Sequence, residues 1–302
     1  MDHPKGIYHL LKDSITGWAE NNAFLHASSL AYYTIFSIAP LVIISVGIAS
    51  MFFTKAAVEG LIVKAIEGIV GTEVAILIQD IILNASNNTP TTSILATVLG
   101  LLILLYGASI VFFRLQVSLN AMLGIVPKTD NVRVNVVTTA RKGLLAAGGV
   151  VILGLYLLAL LIINALLTAL PLELLERFLP QADKTGLLLT IVVAPILIMV
   201  PFALIYKEMP QAIIRWHEIW PGALLAAVLF WIGGNIIGIY LTRSGFTSIY
   251  GAAGSLVALL IWVFYSALVF LYGAKFIQVY AKMYGTPIIP TEDAMFEADQ
   301  TD

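Results

Sequence analysis

From Ala252 to Ala274 the chain carries no Asp, Glu, Lys, Arg or His. About 20 apolar residues suffice for a helix to cross the ~30 Å hydrocarbon core of a bilayer. A soluble helix of that length keeps a polar face, and this stretch keeps none. It is therefore expected to span a membrane. Trp262, Phe264, Tyr265 and Tyr272 add aromatic bulk, while Gly251, Gly254 and Gly273 offer small surfaces for close helix contact. Lys275 ends the run.

The same texture recurs along the chain, which is 60% hydrophobic and 11% charged, against roughly 25% charged in soluble domains. The apolar runs are continuous rather than alternating, which favours helices over a barrel. The expected fold is an all-α polytopic membrane protein with six spans, at about 29–53, 93–118, 143–169, 186–206, 220–241 and 254–275, together forming a domain over 23–285. Residues 1–22 are expected to hold an N-terminal interfacial amphipathic helix, with Ile7, Leu10, Leu11, Ile15 and Trp18 at helical spacing. No uninterrupted apolar core marks a cleavable signal peptide there. Two short amphipathic helices over 55–85, too charged to span, are expected on the extracytoplasmic side. Residues 286–302 read as a disordered acidic tail. Trp220 and Pro221 suit the start of the fifth span.

Six spans place both termini on one side. Eleven of the sixteen lysines and arginines fall on that side, and five (Lys55, Lys64, Arg177, Lys184 and Arg243) on the other. The positive-inside rule makes both termini cytoplasmic. IAPLVI at 38–43 resembles VAPILI at 193–198, as an inverted repeat would require. LYGA at 105–108 and 271–274 breaks that order.

Chemistry concentrates on a few polar residues. Arg114 and Lys275 lie near the cytoplasmic ends of the second and sixth expected spans, and no acidic residue lies within any span. Such cations either snorkel to lipid phosphates or hold an anionic group in a cavity. Gln116 and Asn120 share a helix face four residues apart, suited to hydrogen bonding a ligand or a neighbouring helix. Pro40, Pro195 and Pro201 fall inside spans and are candidate helix bends. The chain has no cysteine, and His3, His9, His26 and His217 form no close ligand pair. No metal site, cofactor or enzymatic activity is expected, and no basic domain suggests nucleic acid.

LAYYTIFSIAPL in the first span, LQVSLN in the second, WPGALLAAVLFW opening the fifth and YGAAGSLVALLIWVFYSALVFLYGAKF in the sixth resemble the YihY/BrkB family of bacterial inner-membrane proteins, over roughly residues 20–282. The resemblance implies a six-span bundle in the bacterial cytoplasmic membrane. It implies no settled activity; an older label, ribonuclease BN, is regarded as mistaken. Some relatives are connected with serum resistance or export of lipopolysaccharide precursors. Two departures stand out: Gly273-Ala274-Lys275 where the family often has Gly-Ala-Glu, and no tryptophan shortly after Leu119-Asn120. The resulting expectation is a transporter or translocator of an anionic lipid or amphiphile, with Arg114 and Lys275 attracting the headgroup and Gln116 and Asn120 bonding to it. The alternative is a non-transporting membrane scaffold of an envelope assembly. Expected partners are membrane lipids, and beyond them a second copy or an envelope protein.

Overall fold

The structure, a computed structural model, describes residues 6–49, 59–60, 63, 72–87, 110–128, 182–243 and 254–300. Its helices are α1 (Ile7–Glu20), α2 (Ala23–Ala49), α3 (Thr72–Asn87), α4 (Ile110–Leu123), α5 (Ala182–Glu208), α6 (Trp216–Arg243) and α7 (Gly254–Tyr284). Four short strands, β1 (Ile125–Pro127), β2 (Ala212–Ile213), β3 (Ile289–Pro290) and β4 (Ala294–Phe296), precede a 3-10 turn at Glu297–Gln300.

α7 is the central element. Helices α1, α2, α3 and α6 all pack against it, and α5 packs on α6. Among the described residues, two stretches are long and apolar enough to cross a membrane, Trp216–Tyr240 in α6 and Leu256–Tyr284 in α7. They correspond to the fifth and sixth expected spans. The fourth lies within α5, and α2 covers the first as far as Ala49. The third expected span and most of the second lie outside the described residues.

Small residues let α6 and α7 approach closely. A Cβ on Gly222 would lie 2.8 Å from the Gly273 carbonyl oxygen, and one on Gly273 would lie 2.7 Å from Ala226 Cβ. Helices in lipid gain nothing from excluding water between them, so this close packing supplies the attraction. Tyr206 of α5 stacks on Phe270 at 4.6 Å between ring centroids and donates its hydroxyl to the Phe270 carbonyl (2.6 Å). Tyr265 donates to Leu229 O (2.8 Å), which ties α7 to α6 a second time.

Helix boundaries depart from the hydropathy pattern. α6 begins at Trp216, so Pro221 lies inside it rather than at its start. The reason is a cap: Glu218 Oε2 accepts the Arg215 N–H (3.2 Å) and Glu218 N donates to Arg215 O (3.1 Å). A carboxylate three residues into a helix satisfies a donor that the helix itself cannot. α2 and α5 run as single helices through Pro40, Pro195 and Pro201.

The C-terminal segment is a correction. Residues 286–300 do not form a structureless tail, and the described fold is not wholly helical. β4 pairs antiparallel with β1 (Ile125 opposite Phe296) and β3 with β2 (Ile213 opposite Ile289). Ile288 and Ala294 are buried, and Glu297 N donates to Gly124 O (3.0 Å). Two- and three-residue strands carry no readable periodicity; their pairing depends on partners far away in sequence.

Candidate functional site

The polar side chains gather where α4 ends. An α-helix leaves its last carbonyls without internal partners. Here α4 stops at Gly124, whose φ of +68° is the left-handed conformation that glycine adopts freely. Two of its final carbonyls are taken up by other elements. Asn21 Nδ2 donates to Ala121 O (2.6 Å), and Gln278 Nε2 of α7 donates to Leu123 O (2.5 Å).

Asn21 belongs to the elbow between α1 and α2. Its N–H bonds back to Gly17 O (3.0 Å), and Asn22 then takes φ +53°, a conformation that asparagine tolerates better than most residues. This turn presents the Asn21 amide inward. Its Oδ1 accepts from Lys275 Nζ at 3.1 Å. Lys275 is only 8% exposed, and its stem lies against Gly17, where a Cβ would come within 3.2 Å of Nζ. Nearby, Trp18 Nε1 donates to Leu268 O (3.2 Å), so α1 is fastened to α7 at two levels.

Side chains of α4 also hold the turn after α5. Gln116 Nε2 donates to Met209 O (2.8 Å). Asn120 and Gln211 bond reciprocally, Nδ2 to Oε1 and Gln211 N to Oδ1, each at 2.9 Å. Ser118 Oγ sits 3.2 Å from His26 Nδ1. Arg114 lies six residues up the helix from Asn120, roughly 9 Å deeper along its axis. Its Nη2 donates to Tyr33 Oη (3.1 Å), and its Cζ stands 4.8 Å from the centroid of that ring.

Of the four candidate ligand-binding residues, Gln116, Asn120 and Lys275 thus border one junction, and Arg114 is separate from it. No described hydrogen bond joins any two of them. Lys275 spends one of three donors on a neutral oxygen, and Arg114 one of five; the Glu20 and Glu297 carboxylates act on Lys275 from farther off, without a described salt bridge. Sequence reasoning missed Asn21, Gln211 and Tyr33 as partners. The adjacent asparagines at 21–22, between two helical stretches, were the available signal. Among the described residues, no three His, Asp or Glu side chains are grouped as metal ligands.

Continuously apolar helices joined by a polar seam at one end define a helical membrane protein. The chain belongs to the BrkB family: the family model described as "Virulence factor BrkB" matches residues 14–294. It is similar to a "UPF0761 membrane protein" of Alteromonas mediterranea, 24% identical over 85% of this chain and 82% of that one. A "UPF0761 membrane protein" of Xanthomonas oryzae pv. oryzae is also 24% identical, over 85% of this chain and 57% of its own. A shorter match, 42% identical, covers 24% of this chain and 24% of a "UPF0761 membrane protein" of Tolumonas auensis. No solved structure matches.

Proposed function

We propose that this protein carries or translocates an anionic lipid or amphiphile, recognised from the cytoplasmic side of a bacterial inner membrane. One observation carries the reading: Lys275, 8% exposed in the last third of α7, has a neutral amide oxygen as its described hydrogen-bond partner. A buried ammonium is costly unless an anion meets it, and a phosphate or carboxylate would take its remaining donors. Arg114, bonded only to a phenol among the described residues, is the second such cation. The excess of lysine and arginine on the side of the termini supports a cytoplasmic location for both. No enzymatic step is part of this function.

Movement of fluorescent phosphatidylglycerol and phosphatidylcholine across proteoliposomes tests it, with Lys275→Met and Arg114→Gln as variants that keep most of the side-chain volume. A lost charge-assisted hydrogen bond, about 1.5–3 kcal/mol, predicts that Lys275→Met slows phosphatidylglycerol movement by roughly 10- to 100-fold. If neither lipid moves with folded wild-type protein, translocation of lipid is wrong and the scaffold reading replaces it. If transport survives in Lys275→Met while thermal stability drops, the lysine is a structural tie and not a headgroup contact.

A further inference from the structure

The apolar length of α6 opens at Trp216 and that of α7 closes at Tyr284. At this level the molecule exposes a band of apolar and aromatic side chains. Ile213 and Ile289 stand opposite each other in the β2–β3 pair, hence on the same sheet face. They are 58% and 57% exposed. Trp216 and Trp220, one turn apart on α6, stack with centroids 5.8 Å apart and are 42% and 40% exposed. Tyr280 and Tyr284 form a similar pair on the last turns of α7, 5.6 Å apart.

Cations border this band. Lys207 Nζ stands 5.9 Å from the Trp216 ring centroid and donates to Ile214 O (2.6 Å). Arg215 precedes Trp216, and its Nη1 reaches Thr286 Oγ1 (3.0 Å) at the end of α7. Lys282, one turn before Thr286, is exposed. Of the neighbouring carboxylates, Glu208 is exposed, as are Glu292 and Asp293 just past β3, whereas Glu218 is turned inward, 1% exposed, and accepts the N–H groups of Arg215 and Thr286.

We propose that this face is a seat for anionic phospholipid. The isoleucine pair and the two tryptophans bed at the level where acyl chains meet headgroups, and Arg215 and Lys282 meet the phosphates. Two observations favour lipid over another protein surface. The band lies at the ends of two membrane-crossing stretches, where amphipathic aromatic rings settle at headgroup depth. On the side formed by the start of α6 and the end of α7 its border carries Arg215 and Lys282, complementary to an anionic leaflet. This seat binds lipid at the rim of the bundle and is independent of any translocation.

The test uses the full chain in liposomes whose phosphatidylglycerol or phosphatidylcholine is brominated just below the headgroup. Bromine quenches tryptophan fluorescence on close approach, and the signal absent from Trp216→Phe/Trp220→Phe isolates these two reporters. At equal mole fraction, brominated phosphatidylglycerol is expected to quench them the more effectively, with a preference on the order of fivefold for each cation that meets a headgroup. That preference should fall toward parity in Arg215→Gln/Lys282→Gln. Equal quenching by the two lipids in the wild-type protein would remove the headgroup recognition and overturn the proposal. Absence of quenching by either would overturn it too, since a second copy or another protein would then cover the band.

Discussion

Asn21 does at the residue scale what no apolar side chain could do. It donates to a helix-end carbonyl and accepts from a buried ammonium, joining the α1–α2 elbow to α4 and α7 at once. Asn21→Ala leaves the Ala121 carbonyl with only the Gly124 N–H and takes from Lys275 its partner oxygen, at a cost of about 1–3 kcal/mol for the buried ammonium donor left unpaired. The apparent melting temperature of the purified protein should drop accordingly. Asn22 provides the contrast. It sits at positive φ, a conformation that suits glycine, so Asn22→Gly should melt close to wild type. Equal losses in the two variants would mean that the elbow matters only as a turn. At this scale the sequence showed which residues are polar and apolar-flanked, Gln116, Asn120 and Lys275 among them, but not what they bond to. Their partners, Met209, Gln211 and Asn21, are remote in the chain.

At the scale of elements, the α6–α7 crossing is set by how closely two backbones approach. A Cβ on Gly222 would meet the Ile277 side chain and, 2.8 Å away, the backbone oxygen of Gly273. That oxygen cannot yield unless the helices separate. Gly222→Ala should therefore destabilise by about 1–3 kcal/mol, the usual cost of overpacking. Gly234, on the same helix, has nothing within 4 Å of its would-be Cβ. Gly234→Ala should be neutral or stabilise by roughly 0.5–1 kcal/mol through the lower entropy of the unfolded chain. Thermal unfolding of the pair in one detergent reads the difference, and similar melting temperatures would show that the crossing is looser than its geometry implies. The amphipathic helix α1 makes a related point. Leu10 and Ser14 are buried in its contact with the bundle, while Ile7 and Ile15 remain 74% and 54% exposed. Its hydrophobic periodicity alone could not divide those residues between protein and lipid, because both solvents favour apolar side chains.

For the whole molecule, the last described residues close the fold. β3 and β4 reach back to β2 and β1, and they bring Ile288 and Ala294 into the core. Deleting residues 287–302 removes both pairings but neither of the two stretches long and apolar enough to cross a membrane. The truncated chain should still insert in the membrane. Limited proteolysis should speed up around 124–128 and 209–213, where the strands have lost their partners. Unchanged cleavage there would mean that the strand pairs contribute little to holding the polar junction.

Membrane residence and helical class followed from the amino-acid sequence by itself. Uninterrupted apolar length against bilayer thickness is a local property, readable within one segment. The family resemblance was legible too, because its motifs are linear. The tertiary structure alone decided that Asn21 receives Lys275, that Glu218 moves the start of α6 ahead of Pro221, and that the acidic C-terminal segment folds back as strands. The physical reason is common to all three. A polar atom withdrawn from water must find a partner, and which partner it finds depends on chain segments brought together only by packing.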